Sequence, residues 1–351
     1  MSAAHDLAAD ALIKAIADCF TALGIAGDDA LIVAEDLVAA DLEGVASHGA
    51  MLVPMYLDRI KSGSVSRRSK GEILSDREAA VVLDAGHALG QLTARQAVDL
   101  AVERARKYGM ATIAVRNAFH FGTAGRYARM LADQGCVGMV MSNTRPLMPV
   151  TGGAEALVGN NPIAIAVPSA GEFAPEVDMA MSAAAMGKIR NAAAAGQSIP
   201  EGWAADRQGT PTTDPKAAID GMLLPAAGPK GFGLAFIIDL LSGGLSGGAM
   251  GANVRPLYGK LDDPYQCSNV FIAIDVGHFV ARPEYEQRAK SEQDRVSASR
   301  LAPGVDRVYA PGEFAHAARQ RAGGRVKLSA AAYDSLIEAG TALGLDLRSF
   351  I

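Results

Sequence analysis

Apolar residues recur at helical spacing from the start of the chain. Leu12, Ile13, Ile16, Phe20 and Leu23 make one stripe, and Gly24 follows as a stop. A second stripe begins near Asp28 and runs through Leu31, Ala34, Leu37, Val38 and Leu42 to Gly44. A third helix is predicted over 51–60, with Pro54 in the first turn, where proline is tolerated, and Gly63 as its end. Residues 1 to about 65 thus read as a helical segment.

The pattern then changes. A short β-rich run over 79–83 precedes a helix over 91–108 and a strand over 111–115. An amphipathic helix through Tyr127, Met130 and Leu131 ends at Gly135, and an apolar strand follows over 137–141. This strand–turn–helix–strand order predicts a βαβ unit, right-handed by the usual chirality. Further strands are expected at 163–167, at 176–180 with Asp178 among apolar neighbours, and at 270–274. Helices are expected at 183–195, 234–241, 283–299 and 328–343. No internal repeat is visible.

A chain of 351 residues, half of them apolar, can bury a large core, and its length fits about two domains. The net charge is −5 and no basic stripe stands out, which argues against nucleic acid as a partner. Arg67-Arg68-Ser69-Lys70 reads as a solvated loop. Cys19, Cys136 and Cys267 are too few and too scattered for a disulfide framework or a metal site. No secretory pattern opens the chain, and no window approaches ~18 uninterrupted apolar residues. A soluble protein in a reducing, cytoplasmic setting is expected.

The chemistry centres on the joint Ala46-Ser47-His48-Gly49-Ala50 between the second and third helices. His48 there lies near a helix N-terminus, whose dipole disfavours an imidazolium. A proton donor at that point needs a carboxylate to raise its pKa again, and Asp178 is the candidate. The alternative is a histidine that bonds only its own joint. His120, with Asn117 and Thr123, forms a polar cluster on a strand-to-helix turn and is a second candidate for proton transfer. Lys230, beside Gly231 and Gly233 at the mouth of an apolar helix, could hold an anion, or the glycines could serve close packing alone. G-x-G-x-x-G after a strand and the phosphate-binding G-x-x-x-x-G-K-[ST] are both absent, and no spacing resembles a metal site.

Residues 47–49, 117–125, 151–162, 178–188 and 228–233 together resemble the type-2 malate/L-lactate dehydrogenase family. That family includes sulfolactate and ureidoglycolate dehydrogenases, diketogulonate reductase and reductases of piperideine- or pyrroline-2-carboxylate. The resemblance implies an α/β, non-Rossmann fold with a mixed sheet domain and a mainly helical domain. It places 1–70 with 280–351 in the helical part and 71–279 in the cofactor- and substrate-binding part. It also implies a homodimer, NAD or NADP as cofactor, and a small-molecule substrate. His48 matches the family's proton donor, Asp178 its partner or a cofactor contact, and His120 an alternative acid/base. Thr144, Asp178, Met179, Ala180 and Lys230 fall where the family binds the nucleotide, as do Arg288, Gly312 and Glu313.

Ser47, Leu52, Asn117 and Arg116 are the substrate-side positions. The family commonly has arginine where this chain has Leu52. Losing such a carboxylate fork costs about 1.5–3 kcal/mol of binding unless another cation, Arg116 or Lys188, takes over. The reading that follows is hydride transfer between nicotinamide and a small 2-hydroxy/2-oxo acid. The alternatives are reduction of a cyclic imine carboxylate, and a metal-free hydrolase or lyase built on His120 and Asp178.

Overall fold

The three N-terminal stripes fold as α1 (Ala9–Ala22), α2 (Gly27–Leu42) and α3 (Val53–Ser62) in a computed structural model that describes residues 4–349. Leu12, Ile16 and Phe20 are fully buried, as are Ala34, Leu37 and Val38. Leu31 is the exception: it is exposed, and Ala30 and Val33 turn inward in its place. Pro54 lies in the first turn of α3, and Gly63 closes it with φ of 83°, a left-handed cap that suits glycine.

Seven strands make the main sheet: β1 (Glu72–Arg77), β2 (Ala80–Asp84), β3 (Met110–Ala118), β4 (Cys136–Ser142), β5 (Ile163–Ala166), β6 (Glu176–Met179) and β7 (Cys267–Asp275). Their order is β1-β2-β3-β7-β4-β5-β6. Helix α4 (Gly90–Tyr108) links β2 to β3, which pair in parallel. Helix α5 (Ala124–Asp133) links β3 to β4, but these two do not pair. The late strand β7 enters between them, antiparallel to both, so the expected βαβ unit is split. Every other pairing is antiparallel.

Alternation along the strands gives the sheet two buried faces. Val140 and Phe271 join one apolar cluster with α1, α2, α3, α4 and α5. Their neighbours Met141 and Val270 join a second cluster on the opposite face. That cluster includes residues of Met186–Ala194, Pro215–Asp220 and α6 (Pro229–Asp239).

The C-terminal segment adds α7 (Arg282–Ser297), α8 (Glu313–Ala322) and α9 (Ala330–Thr341). Strand Arg325–Leu328 pairs antiparallel with His5–Ala8, tying the two ends of the chain together. Among the described residues, no helix is long and apolar enough to cross a membrane, and no cluster of three His, Cys, Asp or Glu is placed to hold a metal.

Candidate active site

His48 ends a single 3-10 turn, Ala46–His48, and a second turn, Ala50–Leu52, leads into α3. The joint is pinned from below by Asp41 near the end of α2. The Ala50 N–H donates to Asp41 Oδ2 at 2.7 Å. A Cβ on residue 49 would lie 2.2 Å from Asp41 Oδ1, so the glycine after His48 is required by that carboxylate. Burial, opposed by the Ala50 N–H, pushes the Asp41 carboxyl up to about 6. The sequence reading did not single out Asp41. Its signal was an acid three and four residues after Val38 and Leu37, on the apolar stripe of α2. Gly49→Ala is expected to lower kcat about 10- to 100-fold by displacing His48, with cofactor affinity held. Steady-state kinetics and a cofactor titration check this, and an unchanged kcat would contradict it.

The His48 ring stacks on His120, with centroids 5.4 Å apart and planes at 28°. Ser47 Oγ lies 3.0 Å from His48 Nδ1, so these adjacent side chains do face each other, contrary to the usual geometry of a turn. His120 sits between β3 and α5, and its Nδ1 lies 2.7 Å from the Tyr56 hydroxyl. Burial lowers the His48 pKa, and burial together with His48 lowers that of His120 to about 3. Two imidazoles stacked this closely disfavour a proton on both at once.

Asp178 is not the partner of His48. Its Oδ2 accepts the Gly125 N–H at 2.8 Å, capping α5 in place of Thr123, whose side chain makes no cap. A Cβ on residue 125 would lie 2.8 Å from that same oxygen. Among the described residues, no hydrogen bond or ion pair joins Asp178 to His48. A helix N-terminus satisfies a carboxylate, so this one needs no imidazolium. Burial still raises the Asp178 pKa.

The expected nucleotide residues mostly come together. Thr144 Oγ1 donates to Asn160 Oδ1 at 2.9 Å, and the Met181 N–H donates to the Asn160 carbonyl at 2.8 Å. The Ala226 N–H reaches the Met181 carbonyl at 2.9 Å, and the Gly231 N–H reaches that of Ala226 at 3.0 Å. Thr144, the end of β6 at Met179 and Ala180, and the Lys230 turn are thereby one continuous wall. Lys230 is exposed and makes no ion pair among the described residues. Gly312 packs against the opposite end of β6, where a Cβ would lie 2.6 Å from the Ala174 carbonyl. Glu313 is buried and accepts the Ala310 N–H at 2.9 Å. Arg288 stands apart: its side chain is 75% exposed and pairs at 3.6 Å with Glu284 on its own helix.

On the substrate side, one expected residue lies in the core and two share a carboxylate. Leu52 is 2% exposed and belongs to the core, so an apolar residue here packs inward and grips nothing. Arg116 and Asn117 are engaged by Asp84: Arg116 Nε donates at 2.8 Å, and Asn117 Nδ2 at 3.0 and 3.1 Å. That shell brings the Arg116 guanidinium a partner of its own. Lys188 is exposed and unpaired among the described residues.

The model of the malate/L-lactate dehydrogenase family matches residues 7–337. L-sulfolactate dehydrogenase of Methanocaldococcus jannaschii is 34% identical over 340 residues, which is 96% of this chain and 97% of that one. The NAD(+) ureidoglycolate dehydrogenase of Escherichia coli K12 is 35% identical over 290 residues, 83% of this chain and 82% of its own. The solved sulfolactate dehydrogenase from M. jannaschii superposes with a TM-score of 0.92 at 33% identity, covering 98% of this chain and 99% of that one. The delta1-piperideine-2-carboxylate reductase from Pseudomonas syringae gives 0.84 at 28% identity, covering 95% and 99%.

Proposed function

The chain belongs to the malate/L-lactate dehydrogenase family, and from that premise we propose that it moves a hydride between NAD or NADP and a small 2-hydroxy/2-oxo acid, with His48 exchanging the proton. The observation that carries this reading is the stacked pair of His48 and His120. When bound, the nicotinamide supplies or accepts the hydride.

The residues fit such a group. The Lys230 ammonium, on the first turn of α6 and unpaired among the described residues, suits a pyrophosphate or a carboxylate. Thr144, Met179 and Ala180 line the same wall, and Asp178, Gly312 and Glu313 continue it along β6.

Ser47 engages Nδ1 of His48, which leaves Nε2 to give or take the proton. Burial keeps the imidazolium from being the resting state, so the ring returns to neutral after each transfer. Three buried, free cysteines suit a reducing cytoplasm. Leu234, Phe236 and Ile237 on α6 and Leu240 and Leu245 after it are exposed apolar residues that support a homodimer.

The test follows absorbance of NADH and of NADPH with hydroxy acids, oxo acids and cyclic imine carboxylates. The expected result is turnover with a 2-hydroxy/2-oxo acid. Turnover with a cyclic imine alone would replace that substrate class, for which Leu52 and the piperideine carboxylate reductase neighbour are the grounds. Cofactor binding without turnover on any of them would contradict the enzymatic reading.

A further inference from the structure

His120 Nδ1 faces two groups able to donate to it. The Tyr56 hydroxyl lies 2.7 Å away, and the Gly122 N–H points at the same nitrogen from 3.4 Å. The tyrosine hydroxyl is also placed to donate to the His120 carbonyl at 3.0 Å, and its single proton serves one of the two, Nδ1 being the nearer. Behind it, Gln91 Nε2 donates to Tyr56 Oη at 3.2 Å. A phenol oxygen already accepting from Gln91 is a poor acceptor for a second N–H and a good donor. The Gly122 N–H belongs to the backbone and cannot rotate away. This arrangement favours a lone pair on Nδ1 and the proton of neutral His120 on Nε2. Nε2 makes no hydrogen bond among the described residues.

We propose that Tyr56, backed by Gln91, is a positioning residue that locks His120 as the neutral Nε2–H tautomer, so that His120 donates a hydrogen bond to the reacting oxygen or nitrogen while His48 alone exchanges protons. This rests on the reading above for what the pair does, but the lock is a property of the free protein. A neutral imidazole polarises a carbonyl without competing for the proton that its neighbour delivers. Protonating His120 would turn Nδ1 into a donor facing Tyr56 and Gly122. The lowered His120 pKa agrees with this.

The titratable groups around His120 are His48 from the joint and Tyr56 from α3. Tyr258, Cys267 and Asp36 act on Tyr56 from farther away. None is a cation, and the carboxylate of Asp36 is engaged by Arg95, Arg126 and Tyr127.

Ring-nitrogen NMR of the free protein, labelled at histidine, tests the lock without substrate. The expected result for the unmodified chain is a single Nε2–H tautomer for His120 that stays neutral well below pH 6. In Tyr56→Phe, Nδ1 loses its nearer donor, so the His120 pKa should rise by about one unit or more and the Nδ1–H tautomer should appear. Gln91→Leu should shift both in the same direction by less, and it carries the test where Tyr56→Phe does not fold. An Nδ1–H tautomer in the unmodified protein, or nitrogen shifts unmoved in both variants, overturns the proposal. The enzymatic reading fails separately, through loss of effect in the His48 variants.

Discussion

His48→Ala is expected to lower turnover by ~10²–10⁴-fold while cofactor affinity changes little. Ser47 engages Nδ1 of this ring and His120 stacks on it, and the proposed function gives the proton to its Nε2. The sign with pH follows from burial, which lowers the His48 pKa from its usual 6.5. Reduction needs the protonated ring, so its rate should rise as pH falls from neutrality through the lowered pKa. Oxidation needs the neutral ring and should be flat above it. Stopped-flow hydride transfer and a cofactor titration check both. A variant with full turnover would move the proton to another group, His120 first.

The second large effect is on stability. Arg129 of α5 donates to Glu43 Oε1 at 2.7 Å and to Glu176 Oε1 and Oε2 at 2.7 and 2.8 Å. Arg319 of α8 also bonds Glu43. The Glu43 and Glu176 side chains are only 5% and 7% exposed. Arg129→Met would leave buried Glu176 without its cation and Glu43 with Arg319 alone, at a cost of about 3–5 kcal/mol, seen as a lowered urea midpoint. Burial already raises the Glu176 pKa despite Arg129. A raised carboxylate pKa means stability present at low pH and lost as pH rises through it. The variant's deficit should therefore be smaller at pH 5 than at pH 8, and a deficit independent of pH would contradict this account. The same arginine links the end of α2, just before His48, to β6, which carries Asp178. Its loss should loosen both sides of the site.

Helices with a clear apolar stripe were legible from spacing. α1 matches its expected stripe because Leu12, Ile16 and Phe20 each point into one cluster, and α4 (Gly90–Tyr108) matches its expected range. Elements without such a stripe were not. β1 presents exposed residues at nearly every position, so alternation gives it no signal. α8 buries only Glu313 among its residues and reads as a polar segment. The split between β3 and β4 depends on Cys267–Asp275, far downstream, and local order cannot reveal a strand that arrives from elsewhere.

The site divides the same way. His48 and His120 were visible as histidines in tight turns, and the structure stacks them. The partner assigned to His48 was wrong because a buried carboxylate has more than one way to be satisfied. Asp178 found a helix N-terminus instead. Asp41, Tyr56 and Gln91 escaped notice because a polar atom at the edge of an apolar stripe looks like ordinary surface until its neighbours are placed.

The most direct test of the account is the pH profile of single-turnover reduction in the unmodified protein, His48→Gln and His120→Gln. The titration should vanish with His48→Gln and persist, at reduced amplitude, with His120→Gln. The opposite pattern, with the titration lost in His120→Gln and kept in His48→Gln, would contradict the assignment of the proton to His48.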